Sequence, residues 1–290
     1  METKKLGNTN VTMSAIGLGG MPMSVSGRPP ESQSIQVIHR ALDLGVTLID
    51  TADSYCQDES DKHHNERLIY KALQQYKGDT SQVILATKGG LMRPKGAWTR
   101  NGNPDHLRKT IRESFAAFGG EKPIDLWQYH SPDPDYTIES ALAPAKEAVE
   151  EGLIKFVGVS NFSVEQIKRA RDVVEIVSVQ NQYNPWYRQP EFDGVLEYCE
   201  KEGLTFLPWS PLGGSNRVGR LKNMKPISQL AKEKKVSVYN IVLAWLMAKS
   251  PCVVPIPGAS KVSSIEDSVR AAEVKLSADE VANIDRATAS

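Results

Sequence analysis

The stretch SIQVIHRALDLGVTLIDTADSY, residues 34–55, predicts a helix followed by a strand. Apolar residues recur at helical spacing from Ile35 to Leu42, which predicts one buried helix face. Gly45 is typical of a helix end, and the apolar run 47–51 predicts a strand buried on both faces. A helix that leads directly into such a strand indicates a parallel α/β sheet.

The same alternation continues along the chain. Short apolar or β-branched runs predict eight strands, at 15–18, 47–51, 83–87, 124–129, 156–160, 176–180, 205–209 and 253–256. Amphipathic or apolar stretches predict helices at 34–45, 65–76, 104–120, 139–152, 163–173, 190–203, 227–236, 236–250, 263–273 and 277–287. Strands that alternate with helices this regularly form a parallel sheet.

Two parallel architectures fit this alternation, a closed barrel and an open doubly wound sheet. The segment 16–20, IGLGG, resembles a dinucleotide-binding glycine loop, but Met21 and Pro22 follow where a helix would begin, so we interpret it as a turn. Eight strands favour the closed form. We therefore expect one α/β domain over residues 1–290, a (β/α)8 TIM barrel with an N-terminal β-hairpin turning near Gly7 and a C-terminal extra helix.

The composition excludes several classes of protein. Lysine plus arginine equal aspartate plus glutamate at 35 each, so no nucleic-acid partner is expected. No apolar run reaches the roughly 18 residues of a membrane span, and the basic start lacks the apolar segment of a signal peptide. The cysteines have no paired spacing, which favours reduced thiols, at Cys56, Cys199 and Cys252. We expect a cytoplasmic monomer with no membrane partner and no metal.

Polar residues stand directly after the apolar runs, where a barrel of this kind carries its chemistry. Asp50 ends the second strand and Tyr55 lies in the loop behind it, while Lys88 and His130 end the third and fourth strands. A free tyrosine has a pKa of about 10. An ammonium about 4 Å away attracts a phenolate by roughly 4 kcal/mol, which lowers the tyrosine pKa by up to about three units before desolvation reduces the effect.

These four residues suit protonation of the alkoxide that forms when a hydride reaches a carbonyl carbon. Asp50 would keep Lys88 charged, Tyr55 would donate the proton, and His130 would orient the carbonyl oxygen. Each residue alone has a plainer explanation: a capping aspartate, a packed tyrosine, a solvated lysine, a histidine that satisfies a loop backbone. Their shared position on one rim of the barrel favours the catalytic interpretation.

The sequence around these positions resembles the aldo-keto reductase family. The resemblance covers nearly the whole chain in order, through ALDLGVTLIDTADSY (41–55), ATK (86–88), IDLWQYH (124–130), IKFVGVSNF (154–162), VQNQYN (179–184), WSPLG (209–213) and PIPG (255–258). The last of these is most similar to the bacterial and plant-type branch. The resemblance implies Tyr55 as general acid, tuned by Lys88 and Asp50, with His130 as the orienting donor.

The resemblance also implies a nicotinamide cofactor, NADP(H), with NAD(H) as an alternative. It implies that Ser160, Asn161 and Gln180 bond the carboxamide and that Trp209 stacks on the ring. The other cofactor positions that we predict lie at strand ends or before a helix start: Gly20, Met21, Asp50, Ser210, Leu212, Gly213, Gly258, Lys261 and Ser264. Amides at a helix start favour the anionic end of the cofactor.

Some positions depart from the family pattern. Cys56 stands where many members have glycine and precedes a polar insert, 57–65, so it is either a redox-sensitive thiol or small loop filler. His63 and His64 in that insert, with Asp61, suggest either a metal site or a solvated loop. At the adenosine end, Ser260 replaces a common arginine, which leaves Lys261 as the cation for a 2′-phosphate.

Three functions are consistent with these features. The leading hypothesis is an enzyme that reduces a small aldehyde or ketone to an alcohol with NADPH. The alternatives are an NAD(P)-linked alcohol or sugar dehydrogenase that runs in the oxidative direction, and a cofactor-sensing regulatory subunit with slow turnover. We expect Met21, Trp98 and Ser131 to face a partly apolar substrate pocket.

Overall fold

The computed structural model describes residues 1–288. An antiparallel hairpin of β1 (Thr3–Lys5) and β2 (Thr12–Ser14) comes first, and Gly7 in its turn has a φ of +55°. A left-handed φ costs glycine nothing, which suits it to this turn. Leu6 and Met13 of the hairpin pack into the barrel interior. The predicted N-terminal hairpin is confirmed and closes the amino-terminal end of the barrel.

The remaining strands run in chain order as β3 (Leu18–Gly19), β4 (Leu48–Asp50), β5 (Ile84–Gly89), β6 (Leu91–Met92), β7 (Thr99–Arg100), β8 (Ile124–Tyr129), β9 (Ile154–Ser160), β10 (Ile176–Gln180) and β11 (Thr205–Phe206). A curled parallel sheet of seven strands has the order β3-β4-β5-β8-β9-β10-β11. β6 and β7 form a separate hairpin within the loop after β5. The fold is that of a (β/α)8 barrel, as predicted.

The predicted eighth strand, 253–256, is not a regular strand. Its backbone still joins the two edges of the sheet, because Val254 N–H donates to the Phe206 carbonyl and Gly17 N–H donates to the Pro255 carbonyl, both at 2.9 Å. Pro255 and Pro257 have no N–H to donate, so a complete ladder cannot form. The segment therefore closes the barrel through scattered hydrogen bonds.

The helices cover the outside of the barrel. They are α1 (Glu31–Asp43), α2 (His64–Gln75), α3 (Pro104–Ala117), α4 (Ile138–Glu150), α5 (Val164–Arg171), α6 (Gln189–Phe192), α7 (Val195–Lys201), α8 (Lys225–Lys234), α9 (Val238–Lys249), α10 (Val262–Arg270) and α11 (Ala278–Ala287). The predicted helix 190–203 is divided because Gly194 has a φ of +79° between α6 and α7. α11 is the expected C-terminal extra helix. No helix among residues 1–288 is long and apolar enough to cross a membrane.

Candidate active site

Lys88 is the centre of a buried polar group at the carboxyl ends of β4 and β5. Its ammonium donates hydrogen bonds to both carboxylate oxygens of Asp50, at 2.8 and 2.9 Å, and to Tyr55 Oη at 3.0 Å. Another bond of 2.8 Å reaches the Thr51 carbonyl. Lys88 is 0% exposed and Asp50 is 2% exposed. Three of the four predicted catalytic side chains therefore lie in direct contact.

Burial decides the protonation of this group. Although burial alone would lower the pKa of Lys88, Asp50 and Tyr55 raise it above its usual value, so the ammonium stays charged. The pKa of Tyr55 is raised as well, because burial of the phenol outweighs the attraction of Lys88. The expectation of a lowered pKa for Tyr55 is therefore wrong. Tyr55 is a protonated phenol at neutral pH and can act as a proton donor.

His130 follows β8 and borders the phenol of Tyr55. The two rings meet edge to face, with centroids 5.9 Å apart. Burial, with a smaller effect from the charge of Lys88, holds the pKa of His130 well below its usual value, so the imidazole is neutral. Its Nδ1 is buried and has no hydrogen-bond partner within residues 1–288. A neutral imidazole has one N–H, which can bind a substrate oxygen.

Two glutamine amides extend the polar group. Gln180, at the end of β10, donates from Nε2 to Asp50 Oδ1 at 2.8 Å and to Gln128 Oε1 at 3.3 Å. The nitrogen of Gln180 is therefore engaged with Asp50, and its bond to a nicotinamide stays a prediction. Sequence reasoning missed Gln128, which is fully buried on β8. A polar residue inside an apolar strand, two places before His130, was the available signal.

Asn161 connects His130 to Trp209. Its Nδ2 donates to the His130 carbonyl at 3.0 Å and to Ser160 Oγ at 3.2 Å, and its Oδ1 accepts from Trp209 Nε1 at 3.0 Å. Asn161 has a φ of +62° and Ser210 a φ of +47°, a region that non-glycine residues rarely adopt. Such strain collects at functional sites, where the surroundings hold the backbone in place.

Two glycines at the predicted cofactor site lie directly against neighbouring side chains. A Cβ on Gly213, which has a φ of +84°, would lie 2.5 Å from Trp186 Cζ3. A Cβ on Gly258 would lie 2.7 Å from Pro22 Cγ. Gly258 forms a parallel bridge with Gly19 at the carboxyl end of β3. Neither glycine therefore has room for a Cβ.

Other predicted cofactor residues lie on the same rim. Gly20 N–H donates to the Asp50 carbonyl at 2.7 Å, and Met21 is 40% exposed in the turn that follows. Leu212 is half-buried beside Gly213. At the other end of the site, Lys261 is exposed directly before α10, and Ser264 is half-buried in the first turn of that helix.

Cys56 packs inside the protein. It is 0% exposed, and its Sγ lies 3.3 Å from the Ser54 carbonyl. Burial raises the pKa of its thiol to about 12. A thiol that is both buried and protonated reacts slowly with oxidants. These properties favour the interpretation as loop filler.

The insert around His63 is more buried than a solvated loop. His63 is 7% exposed, and its Nδ1 lies 2.6 Å from Glu66 Oε2. His64 Nδ1 lies 2.8 Å from Ser24 Oγ, and Asp61 pairs with Arg28 at 2.5 Å. The prediction of a solvated loop is therefore wrong for His63. Within residues 1–288 no three metal-binding side chains converge.

Comparisons with known proteins agree with this fold. A sequence model of the aldo/keto reductase family matches residues 15–289. An uncharacterized oxidoreductase of Schizosaccharomyces pombe is 36% identical over 290 residues, which cover 98% of this chain and 89% of the relative.

Solved structures of similar fold include two related oxidoreductases. A thermostable aldo-keto reductase crystallised with the inhibitor epalrestat is 30% identical, with a TM-score of 0.83 over 99% of this chain and 100% of its own. The glycerol dehydrogenase of Gluconobacter oxydans is 25% identical, with a TM-score of 0.86 over 99% of this chain and 95% of its own. Both align over essentially the full chain.

Proposed function

This chain belongs to the aldo/keto reductase family, and from that premise we propose that it reduces aldehydes or ketones to alcohols with NADPH. Tyr55 is the general acid in this proposal. The observation that carries it is the three-residue contact in which Lys88 bonds both Tyr55 Oη and the Asp50 carboxylate. A protein that only binds a cofactor has no need for a buried ammonium against a phenol.

The proton moves from Tyr55 Oη to the substrate oxygen. NADPH, when bound, supplies the hydride that reduces the carbonyl carbon. The alkoxide that develops is a stronger base than a phenolate, so a protonated tyrosine of raised pKa can still donate to it. The phenolate that remains lies 3.0 Å from the Lys88 ammonium, which stabilises its charge. Asp50 keeps that ammonium protonated and in place.

His130 and Trp209 fix the positions of the reactants. The neutral imidazole of His130 donates one hydrogen bond to the carbonyl oxygen without adding a charge that would compete with Lys88. Trp209, held by Asn161 at 3.0 Å, offers its indole as a stacking surface for the nicotinamide. Ser160 and Asn161 would hold the carboxamide, and the backbone near Gly213 would face the pyrophosphate.

The cofactor preference follows from the adenosine end of the site. Lys261 is exposed directly before α10, where unpaired helix amides and the helix dipole add positive potential. These features favour the 2′-phosphate of NADP(H) over NAD(H). We further propose that the protein acts in the cytoplasm as a monomer.

The test is loss of nicotinamide absorbance when purified protein is mixed with NADPH and a reactive aromatic aldehyde. We expect turnover by the wild type and a loss of at least about 100-fold in kcat for Tyr55→Phe, because general acid catalysis contributes that much or more. Equal rates for the wild type and Tyr55→Phe would contradict the proposal.

Oxidation of a polyol is a second candidate function, favoured by the similarity to the glycerol dehydrogenase of Gluconobacter oxydans. The same tyrosine would then accept the proton as a base. Comparing kcat/KM for glycerol with NADP⁺ or NAD⁺ against kcat/KM for the aldehyde with NADPH distinguishes the two directions.

A further inference from the structure

Trp98 stands next to the proposed proton donor without being part of the polar group. It lies in the turn of the β6–β7 hairpin, and 46% of its surface is exposed. Its ring meets that of Tyr55 edge to face, at 85° and with centroids 6.4 Å apart. His130 meets the same phenol at 5.9 Å. The indole and the imidazole therefore flank the phenol that would face the reacting carbonyl.

Arg93 lies beneath the indole of Trp98. Its guanidinium carbon is 3.8 Å from the centre of the Trp98 ring, and the residue is only 5% exposed. One guanidinium nitrogen, Nη2, donates to the Gly96 carbonyl at 2.9 Å and to the Gln57 carbonyl at 3.3 Å. The Arg93 backbone N–H donates to Glu59 Oε2 at 2.7 Å. Arg93 thus joins the hairpin to the loop that follows Tyr55.

The charge of Arg93 is unusual for a residue that serves the fold alone. Its Nε and Nη1 are buried with no hydrogen-bond partner, and Arg93 takes part in none of the ion pairs formed by residues 1–288. A buried cation without a carboxylate is costly, and a neutral side chain of similar size would avoid that cost. Besides the two backbone carbonyls at Nη2, the contact that compensates the charge is the face of the Trp98 indole, through cation–π attraction.

We propose that Arg93 is a positioning residue that holds the indole of Trp98 beside Tyr55, so that the enzyme binds carbonyl compounds with an aromatic ring next to the reacting carbon more tightly than small aliphatic ones. The inference rests on the proposed reductase function. An indole fixed in advance stacks on a substrate ring without first losing its own freedom. Without Arg93, the indole of Trp98 would lose conformational freedom each time a substrate binds.

The effect should fall on KM, because Arg93 contacts neither Tyr55 Oη nor Lys88. Steady-state kinetics with NADPH are measured for benzaldehyde, which carries the ring, and propanal, which does not. In Arg93→Met we expect KM for benzaldehyde to rise about tenfold, with kcat within about twofold, because a cation–π contact between a buried guanidinium and a half-exposed indole lies between the exposed and desolvated cases. KM for propanal should stay within about twofold of the wild type.

A double-mutant cycle tests whether Arg93 acts through Trp98. We expect Trp98→Leu to raise KM for benzaldehyde by at least as much, and Arg93→Met/Trp98→Leu to equal Trp98→Leu alone. Additive effects in the double variant would overturn the proposal, as would equal losses of kcat/KM for both substrates in Arg93→Met. If the wild type reduces neither substrate, the reductase function itself fails instead.

Two further variants complete the design. Lys95→Met removes an exposed cation from the turn of the same hairpin and should leave KM for both substrates unchanged. Arg93→Lys keeps a cation for the indole but cannot reach both carbonyls, so its KM for benzaldehyde should lie between the wild type and Arg93→Met. If Arg93→Met does not fold, Arg93→Lys decides the question: a wild-type KM for benzaldehyde, or an equal loss with propanal, overturns the proposal.

Discussion

Lys88 Nζ lies 3.0 Å from Tyr55 Oη and simultaneously bonds both carboxylate oxygens of Asp50. The ammonium has no exposed surface, so its charge is balanced only by groups inside the barrel. This arrangement explains how a deeply buried lysine stays protonated beside the phenol that we propose as the proton donor. The pair is the natural first target for mutation.

We predict that Lys88→Met lowers kcat for aldehyde reduction by on the order of 100-fold or more, because the phenolate left after proton transfer loses its counter-charge. The buried Asp50 carboxylate also loses its cation, which should reduce the free energy of unfolding by about 3 kcal/mol or more. Kinetics at saturating NADPH and urea unfolding measure the two effects.

Lys249→Met is the matched control for that variant. Lys249 is also largely buried and pairs with Asp285 at 2.9 Å and Glu191 at 3.0 Å, on the helical layer rather than at the strand ends. It should lose stability but keep kcat. A loss of kcat similar to that of Lys88→Met would mean that destabilisation alone explains both variants.

A second prediction concerns the glycine pair at 213–214. Both residues have positive φ, of +84° and +69°. A Cβ on Gly213 would meet Trp186 at 2.5 Å, whereas the nearest atom to a Cβ on Gly214 is Ser210 Oγ at 3.6 Å. The clash should therefore destabilise Gly213→Ala by about 1–3 kcal/mol. This loss adds to the strain of the left-handed backbone that both variants share.

Comparing Gly213→Ala with Gly214→Ala tests whether the shape of the proposed pyrophosphate loop matters for cofactor binding. We expect Gly213→Ala to weaken NADPH binding more than tenfold and Gly214→Ala to weaken it only a few-fold. The quenching of tryptophan fluorescence by NADPH measures the binding. If the two alanine variants bind NADPH equally well, the close approach to Trp186 has no part in cofactor binding.

Apolar runs ending in polar residues were enough to predict the barrel and the rim at which the polar side chains of Asp50, Lys88 and His130 meet. Asp50, Lys88 and His130 could be placed together because each lies at or just after the carboxyl end of a strand, and parallel strands point their carboxyl ends the same way. The closing segment was less predictable. Its composition is that of a strand, but Pro255 and Pro257 remove the N–H groups that a regular ladder requires.

Properties that depend on how deeply a side chain is buried could not be predicted from sequence. The pKa of Tyr55 was expected to fall because Lys88 was near, yet burial has the larger effect and raises it. Arg93 stands in a polar hairpin and gives no sign that it is buried under Trp98. The partners of Gln128 could not be predicted, because sequence periodicity indicates which strand faces are buried but does not show which polar groups meet inside the barrel.

A third prediction addresses the cofactor's 2′-phosphate. We predict that Lys261→Ala raises KM for NADPH about tenfold and leaves KM for NADH within about twofold, because only NADPH carries the extra phosphate. Arg270→Ala removes an exposed cation from the opposite end of α10 and should change neither value. Equal changes in KM for NADPH and NADH in Lys261→Ala would mean that Lys261 does not bind the 2′-phosphate.

The final prediction concerns Asp53, two residues before Tyr55. The residue is 0% exposed, and burial raises its pKa from 3.8 to about 6 despite Lys62 Nζ at 3.3 Å. Between pH 4 and 6 the folded state therefore keeps a proton that the unfolded chain has released. The contribution of Asp53 to the free energy of unfolding therefore falls as pH rises through this window, by roughly 3 kcal/mol for a shift of about two units.

Asp53→Asn removes this titration, so the variant should gain free energy of unfolding relative to the wild type as pH rises from 4 to 7. The difference between the two proteins is the quantity to measure, by urea unfolding at each pH. Burial lowers the pKa of His106 to about 4, which gives a slope of opposite sign, but that slope is common to both proteins and cancels. The ionic pairing with Lys62 forms only as Asp53 ionises, and its effect is already contained in the pKa of about 6. A difference that stays constant from pH 4 to pH 7 would show that Asp53 is ionised in the folded protein throughout, and that Lys62 compensates its burial completely.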